Sequence, residues 1–232
     1  MTVPLWHLSM IRTFSRPVPL ALLLALCTFI PVMTATVAVV QIPLGALPPD
    51  SVRLVAAPAA FFVHALAGVL FGVLGPLQFV LALRQRFAAL HRWAGRVFVL
   101  SGLGLGLSGL VLLLRVESLS TGLLDAARGV FGLALVVSLV LGVAAARARQ
   151  WIRHRTWMIR AYAVGMGTGP VSLVMFPVYL IRGEPLKGLV SDTVVVGLWL
   201  LSIALGEWVI RTMAARTEGR HLQPTEVASG VN

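Results

Sequence analysis

Two short stretches, "LHRWAGRVF" (90–98) and "RHRTWMIRAYA" (153–163), each set a histidine beside an arginine, with a tryptophan and a further arginine close behind. Neutral imidazoles projecting from two helices can hold the iron of a b-type haem, and guanidiniums suit its propionates. His91 and His154 are therefore candidate haem ligands, with Arg92, Arg96 and Arg155 as candidate partners of the propionates. The same residues also make an interfacial anchor for anionic lipid headgroups, because Arg and Trp gather at membrane surfaces whatever lies between. Arg92 and Arg155 directly follow the histidines, so they point about 100° away around a helix, which weighs toward the anchor. Either reading requires both stretches to lie at one depth.

The rest of the chain sets that depth. Of 232 residues 58% are hydrophobic and only 12% charged, with a mean hydropathy of +0.93, more apolar surface than a water-soluble domain can hide. A helix needs roughly 20 apolar residues to cross a bilayer core about 30 Å thick. Six runs qualify, at about 18–40, 57–83, 97–114, 126–146, 157–181 and 188–210. The first is longer than the apolar part of a signal peptide and no clean cleavage site follows it, so it reads as an uncleaved span. With the N-terminus inside, 14 of the 19 basic residues fall on inner segments and five (Arg53, Arg115, Arg128, Arg182, Lys187) on outer ones. That asymmetry orients both chain ends to the cytoplasm. The expectation is an all-α, polytopic membrane bundle of about six helices: 1–17 a cytoplasmic segment, 18–210 the transmembrane domain, 211–232 a disordered cytoplasmic tail. A net charge of +11 spread along membrane edges points to anionic lipid and not to nucleic acid. One cysteine, Cys27, excludes a disulfide framework and a zinc cluster. Connections of at most about fifteen residues leave no room for a soluble catalytic domain, so any site lies in the bundle.

Three further groups invite chemistry. His64, Gly68, Gly72, Gly75 and Gln78 share one face of the second run, three glycines between two polar side chains. That stripe is either a close helix contact of the GxxxG kind or a groove for a flat ligand. His64 lies near the outer side, some 15 to 20 Å from the depth of His91 and His154, and cannot share their iron. Glu207 precedes Arg211 by one turn and is expected to form an i,i+4 ion pair, with Arg92 or Arg155 as alternatives across the bundle. Gly165, Gly167, Gly169 and Pro170 predict a kink or an unwound turn in the fifth run. The glycine-rich "SGLGLGLSG" (101–109) lies inside the third run with no strand before it, so it is a close-packing surface and not a phosphate loop.

The two His-Arg stretches each open a run that enters from the inner side, so runs two with three and four with five read as a weak helical-hairpin repeat. With "VHALAGVLFGVLGPLQF" (63–79) before them and "LGEWVIR" (205–211) after, they resemble a bacterial membrane family, domain of unknown function 2306. The likeness rests on Gly75, Leu77, Gln78 and Phe79, on His91, Arg92, Gly95 and Arg96, and on His154, Arg155, Trp157 and Met158. Similar proteins carry an arginine in the outer half of the fifth span, where this chain reads GTGPVSLVMFPVY. The resemblance implies a multi-pass protein of the bacterial inner membrane. Three classes of function follow: a haem- or quinone-linked redox protein, an accessory protein of a membrane complex or homo-oligomer, and a small transporter or lipid-binding bundle.

Overall fold

The computed structural model describes residues 17–46 and 56–221. Arg12, Arg16 and Arg53 of the cation asymmetry, and the tail from 222 onward, lie outside the described residues. Every regular element among the described residues is a helix: α1 (Pro17–Leu44), α2 (Pro58–Gln78), α3 (Leu81–Arg86), α4 (Ala88–Arg115), α5 (Gly122–Arg147), α6 (Trp151–Gly165), α7 (Thr168–Arg182) and α8 (Gly188–His221). Six stretches are long and apolar enough to cross a membrane, α6 and α7 together forming the fifth. Helices satisfy their backbone internally, the one open-chain solution in hydrocarbon.

The boundaries depart from hydropathy mainly at one end. The second helix stops at Gln78, just after Pro76, and a short helix carrying Arg84 and Arg86 precedes α4. α4 begins at Ala88 and α6 at Trp151, both ahead of their apolar runs. Basic residues in a first turn extend their charged heads to the surface while their stems stay on the helix, so a polar turn remains helical where an apolar window has already ended. α8 likewise continues to His221, so the first part of the segment expected to be a disordered tail is helical.

The two expected hairpins form as packed pairs, α2 on α4 and α5 on α6, with α1 laid against α2 and α7, and α8 against α5, α6 and α7. Lipid supplies no hydrophobic force between helices, so close packing has to hold them. At the centre Phe71 stacks on Phe98 with ring centroids 4.3 Å apart, and Tyr162 lies beside both. The glycine run of α4 makes this possible. A Cβ at Gly102 would meet Phe71 at 2.6 Å and Leu139 at 2.7 Å, and one at Gly106 would meet Val136 at 2.8 Å.

The fifth span breaks between Gly165 and Thr168, where the glycines and Pro170 place it. A break in hydrocarbon frees carbonyls that need donors. α8 supplies them: the Trp199 indole N–H donates to Val164 O at 2.7 Å, and the Ser202 hydroxyl donates to Ala163 O at 2.9 Å. Each glycine of the break has a neighbour where a side chain would stand: Phe71 at Gly165, the Trp199 ring at Gly167, and the Cys27 carbonyl at Gly169. The unwound turn is thus a packed joint.

Candidate functional site

His91 and His154 occupy the same place in their helices. Each is the fourth residue of its element, and each backbone N–H donates to the residue just before the helix, Phe87 O at 3.0 Å and Gln150 O at 2.9 Å. The alternation of the spans brings both helix starts to one end of the bundle, with Arg84, Arg92 and Arg155, and this is its basic end. The imidazoles lie close enough to interact electrostatically, and Arg84 acts on both His91 and Arg155.

The surroundings of the two rings differ. His154 Nδ1 sits 2.9 Å from Gly142 O on α5. A carbonyl only accepts, so Nδ1 carries the hydrogen and, in the neutral ring, Nε2 keeps a lone pair for another partner. His91 Nδ1 is buried with no hydrogen-bond partner. Gln78, at the end of α2, is in the same position: its Nε2 is buried and unpartnered, and its Oε1 lies 3.4 Å from where a Cβ on Gly95 would stand. Gly95 is one turn after His91 on α4, so Gln78 approaches the face of α4 on which His91 lies. Of the candidate arginines, Arg92, Arg96 and Arg155 are all exposed, and the Arg96 guanidinium lies over Trp93 at 5.4 Å.

The stripe on α2 is used for packing, and it meets three neighbours. Gly68 faces Leu105 of α4, Gly72 faces Val32 of α1 and Met166 in the break after α6, and Gly75 is covered by the Tyr162 ring of α6. The groove reading meets a filled face, because side chains from three helices take the space the glycines leave. His64 closes the other end of the stripe. Its Nδ1 lies 3.2 Å from Ser108 Oγ, whose hydroxyl reaches Leu105 O, so His64 fastens α2 to α4.

Glu207 corrects another expectation. Both its oxygens engage Arg160 of α6, from Nε at 2.5 Å and Nη2 at 3.0 Å, while the Arg160 guanidinium lies 4.8 Å from the Trp157 ring. Arg211, expected to pair with Glu207 one turn away, acts only at longer range, and Arg92 and Arg155 do not take part. A guanidinium matches a carboxylate edge to edge, which the staggered i,i+4 approach along one helix does not allow so well. Depth was the signal that could have found the pair, since Arg160 and Glu207 both lie inside their spans while Arg153 and Arg155 lie near a helix start.

Two polar residues escaped the sequence reading. Asp192, near the outer start of the sixth run, is 4% exposed and accepts the Thr121 N–H at 2.6 Å, so α8 caps the start of α5, which has no side-chain cap of its own. Tyr162 is 5% exposed; its hydroxyl approaches Thr28 of α1 but makes no hydrogen bond, while the Thr28 hydroxyl donates to Leu24 O and Ala25 O. Nothing in the local sequence separates either from a lipid-facing or loop residue.

No curated protein and no solved structure matches the chain. A family model matches residues 61–210, from α2 into α8, and so takes in both His-Arg elements, the glycine stripe and the Arg160–Glu207 pair. The chain belongs to the family described as "Predicted membrane protein (DUF2306)".

Proposed function

We propose that this multi-pass membrane protein holds a b-type haem between His91 and His154 and takes part in quinone-linked redox chemistry at the cytoplasmic face of a bacterial inner membrane. The observation that carries the reading is the His154 ring. A donated Nδ1–H to the Gly142 carbonyl fixes the tautomer and leaves Nε2 as a ligand atom, the arrangement usual for metal-binding histidines. The equivalent helical position of His91, with its ring interacting electrostatically with that of His154, supports a pair of imidazoles. Bound there, haem would supply one-electron transfer. Of the chain's own residues, Gly142 O would orient the His154 ring, and Gln78 packs at Gly95, one turn along α4 from His91. A quinone is the class of electron partner that dissolves in the bilayer and reaches a chain with short connections.

Protein purified from haem-replete cells should show a Soret band and about one haem per chain by pyridine haemochrome. His91→Ala and His154→Ala should each abolish it, while His64→Ala, in the α2–α4 packing, should keep it. A colourless, monodisperse, folded preparation rules the reading out.

A further inference from the structure

We infer that His64 binds the hydroxyl of a membrane-soluble hydroquinone, at the end of the bundle opposite His91 and His154. The seam between α2 and α4 sets the state of the ring. Ser108 donates its one hydroxyl hydrogen to Leu105 O at 3.2 Å, so its oxygen can only accept from His64 Nδ1, also 3.2 Å away. Nδ1 therefore carries the hydrogen, and in the neutral ring Nε2 is an acceptor. No described residue bonds to Nε2, and the ring is only partly buried. Among the described residues, His64 is the one imidazole away from the basic end.

The surroundings decide what can reach that nitrogen. His64 is the seventh residue of α2, about 9 Å along the axis from its start. Val63 and Leu107, next to His64 and Ser108 in sequence, are exposed, so this part of the seam opens on lipid. Gly104 and Gly109 keep the α4 side low: a Cβ on Gly109 would stand 3.3 Å from the ring's Cε1, and one on Gly104 would meet only Ala67 and Val63. A flat ring can lie there. An acceptor facing hydrocarbon stays unsatisfied until a dissolved molecule brings it a donor, and acyl chains and ester oxygens carry none. A hydroquinone dissolves in the bilayer, is flat and carries two phenolic donors, whereas its oxidised form has carbonyls, which only accept. The fixed tautomer thus selects the reduced form. The choice of hydroquinone among hydroxylated lipids rests on the quinone-linked reading; the binding itself needs no haem.

The test uses haem-free full chain in phosphatidylcholine nanodiscs, labelled with ¹⁵N-histidine and titrated anaerobically with decylubiquinol, decylubiquinone and the dimethyl ether of decylubiquinol. Binding is read from the His64 ring resonances and from the thermal midpoint. Decylubiquinol should bind about tenfold more tightly than the quinone or the ether, neither of which can donate. His64→Phe should remove that preference. Ser108→Ala should reduce it to about twofold or less, because the ring is then free to carry its hydrogen on Nε2 and serve a quinone carbonyl instead. His154→Phe, at the other end, should leave all three affinities unchanged. Equal binding of the three ligands, or a preference that survives His64→Phe, overturns the inference in favour of simple partition into lipid. The ligand series needs only the parent chain, so it decides even where a variant folds poorly. An absent Soret band removes the haem and leaves these outcomes readable, while a Soret band with equal binding removes this site alone.

Discussion

Arg160 and Glu207 show how a charge survives inside a span. Each lies within a helix that crosses the bilayer, about a third of its side chain exposed, and each satisfies the other with two hydrogen bonds. An unpaired charge at such a depth costs about 2.5 to 3.5 kcal/mol on insertion scales. Glu207→Gln should therefore lower stability by about 2 kcal/mol, Arg160→Gln on that background should recover part of the loss, and Arg211→Gln should cost little, all read from unfolding in detergent. If Arg211→Gln costs as much as Glu207→Gln, the local pair matters as much as the cross-bundle one. Glycines divide as sharply. Gly167→Ala places a methyl inside the Trp199 ring and breaks the indole bond to Val164 O, so it should lose about 2 kcal/mol or more. Gly197→Ala, inside α8 and with nothing within 4 Å, should gain up to about 1 kcal/mol from helix propensity. Hydropathy scores the two glycines identically, and only their neighbours distinguish them.

At the scale of elements, the turn between α5 and α6 decides where His154 points. Gln150 N donates to Ala145 O at 2.8 Å and Arg149 N to Ala146 O at 3.0 Å, the paired bonds of a Schellman end, with Arg149 in the left-handed region at φ 58°. A side chain with a Cβ is strained there by about 1 to 2 kcal/mol, so Arg149→Gly should raise stability by about 1 kcal/mol in a thermal melt. The same substitution should leave the Soret band unchanged if the turn only sets geometry, because Gly142 O, which receives the His154 bond, belongs to the α5 backbone ahead of it. The break between α6 and α7 was legible from its glycines and proline. That α8 would satisfy it was not, because Trp199 and Ser202 lie more than thirty residues away in the chain and carry no local mark of a donor's role.

For the whole molecule, alternation of the spans places the arginine-rich turns at one end and Glu117, Asp125, Glu184 and Asp192 at the other. With the basic end cytoplasmic, a reporter fused after Asn232 should be active only as a cytoplasmic reporter, and a cysteine placed at Glu184 should label from the outer side in intact cells. The reverse pattern would put the proposed haem site on the outer face. Composition and period alone determined the class of fold, the six spans, the grouping of His91 with His154 at one level and the break after Gly165, because each follows from how far an apolar helix reaches across a bilayer and from what the backbone tolerates there. Only the tertiary structure decided that Arg160 holds Glu207, that Asp192 caps a distant helix, that the glycine stripe is filled by three neighbours and that Gln78 and His91 keep unpaired nitrogens. Those outcomes depend on which side chains meet across the bundle, and in a chain so uniformly apolar, hydropathy assigns nearly the same value to every such meeting.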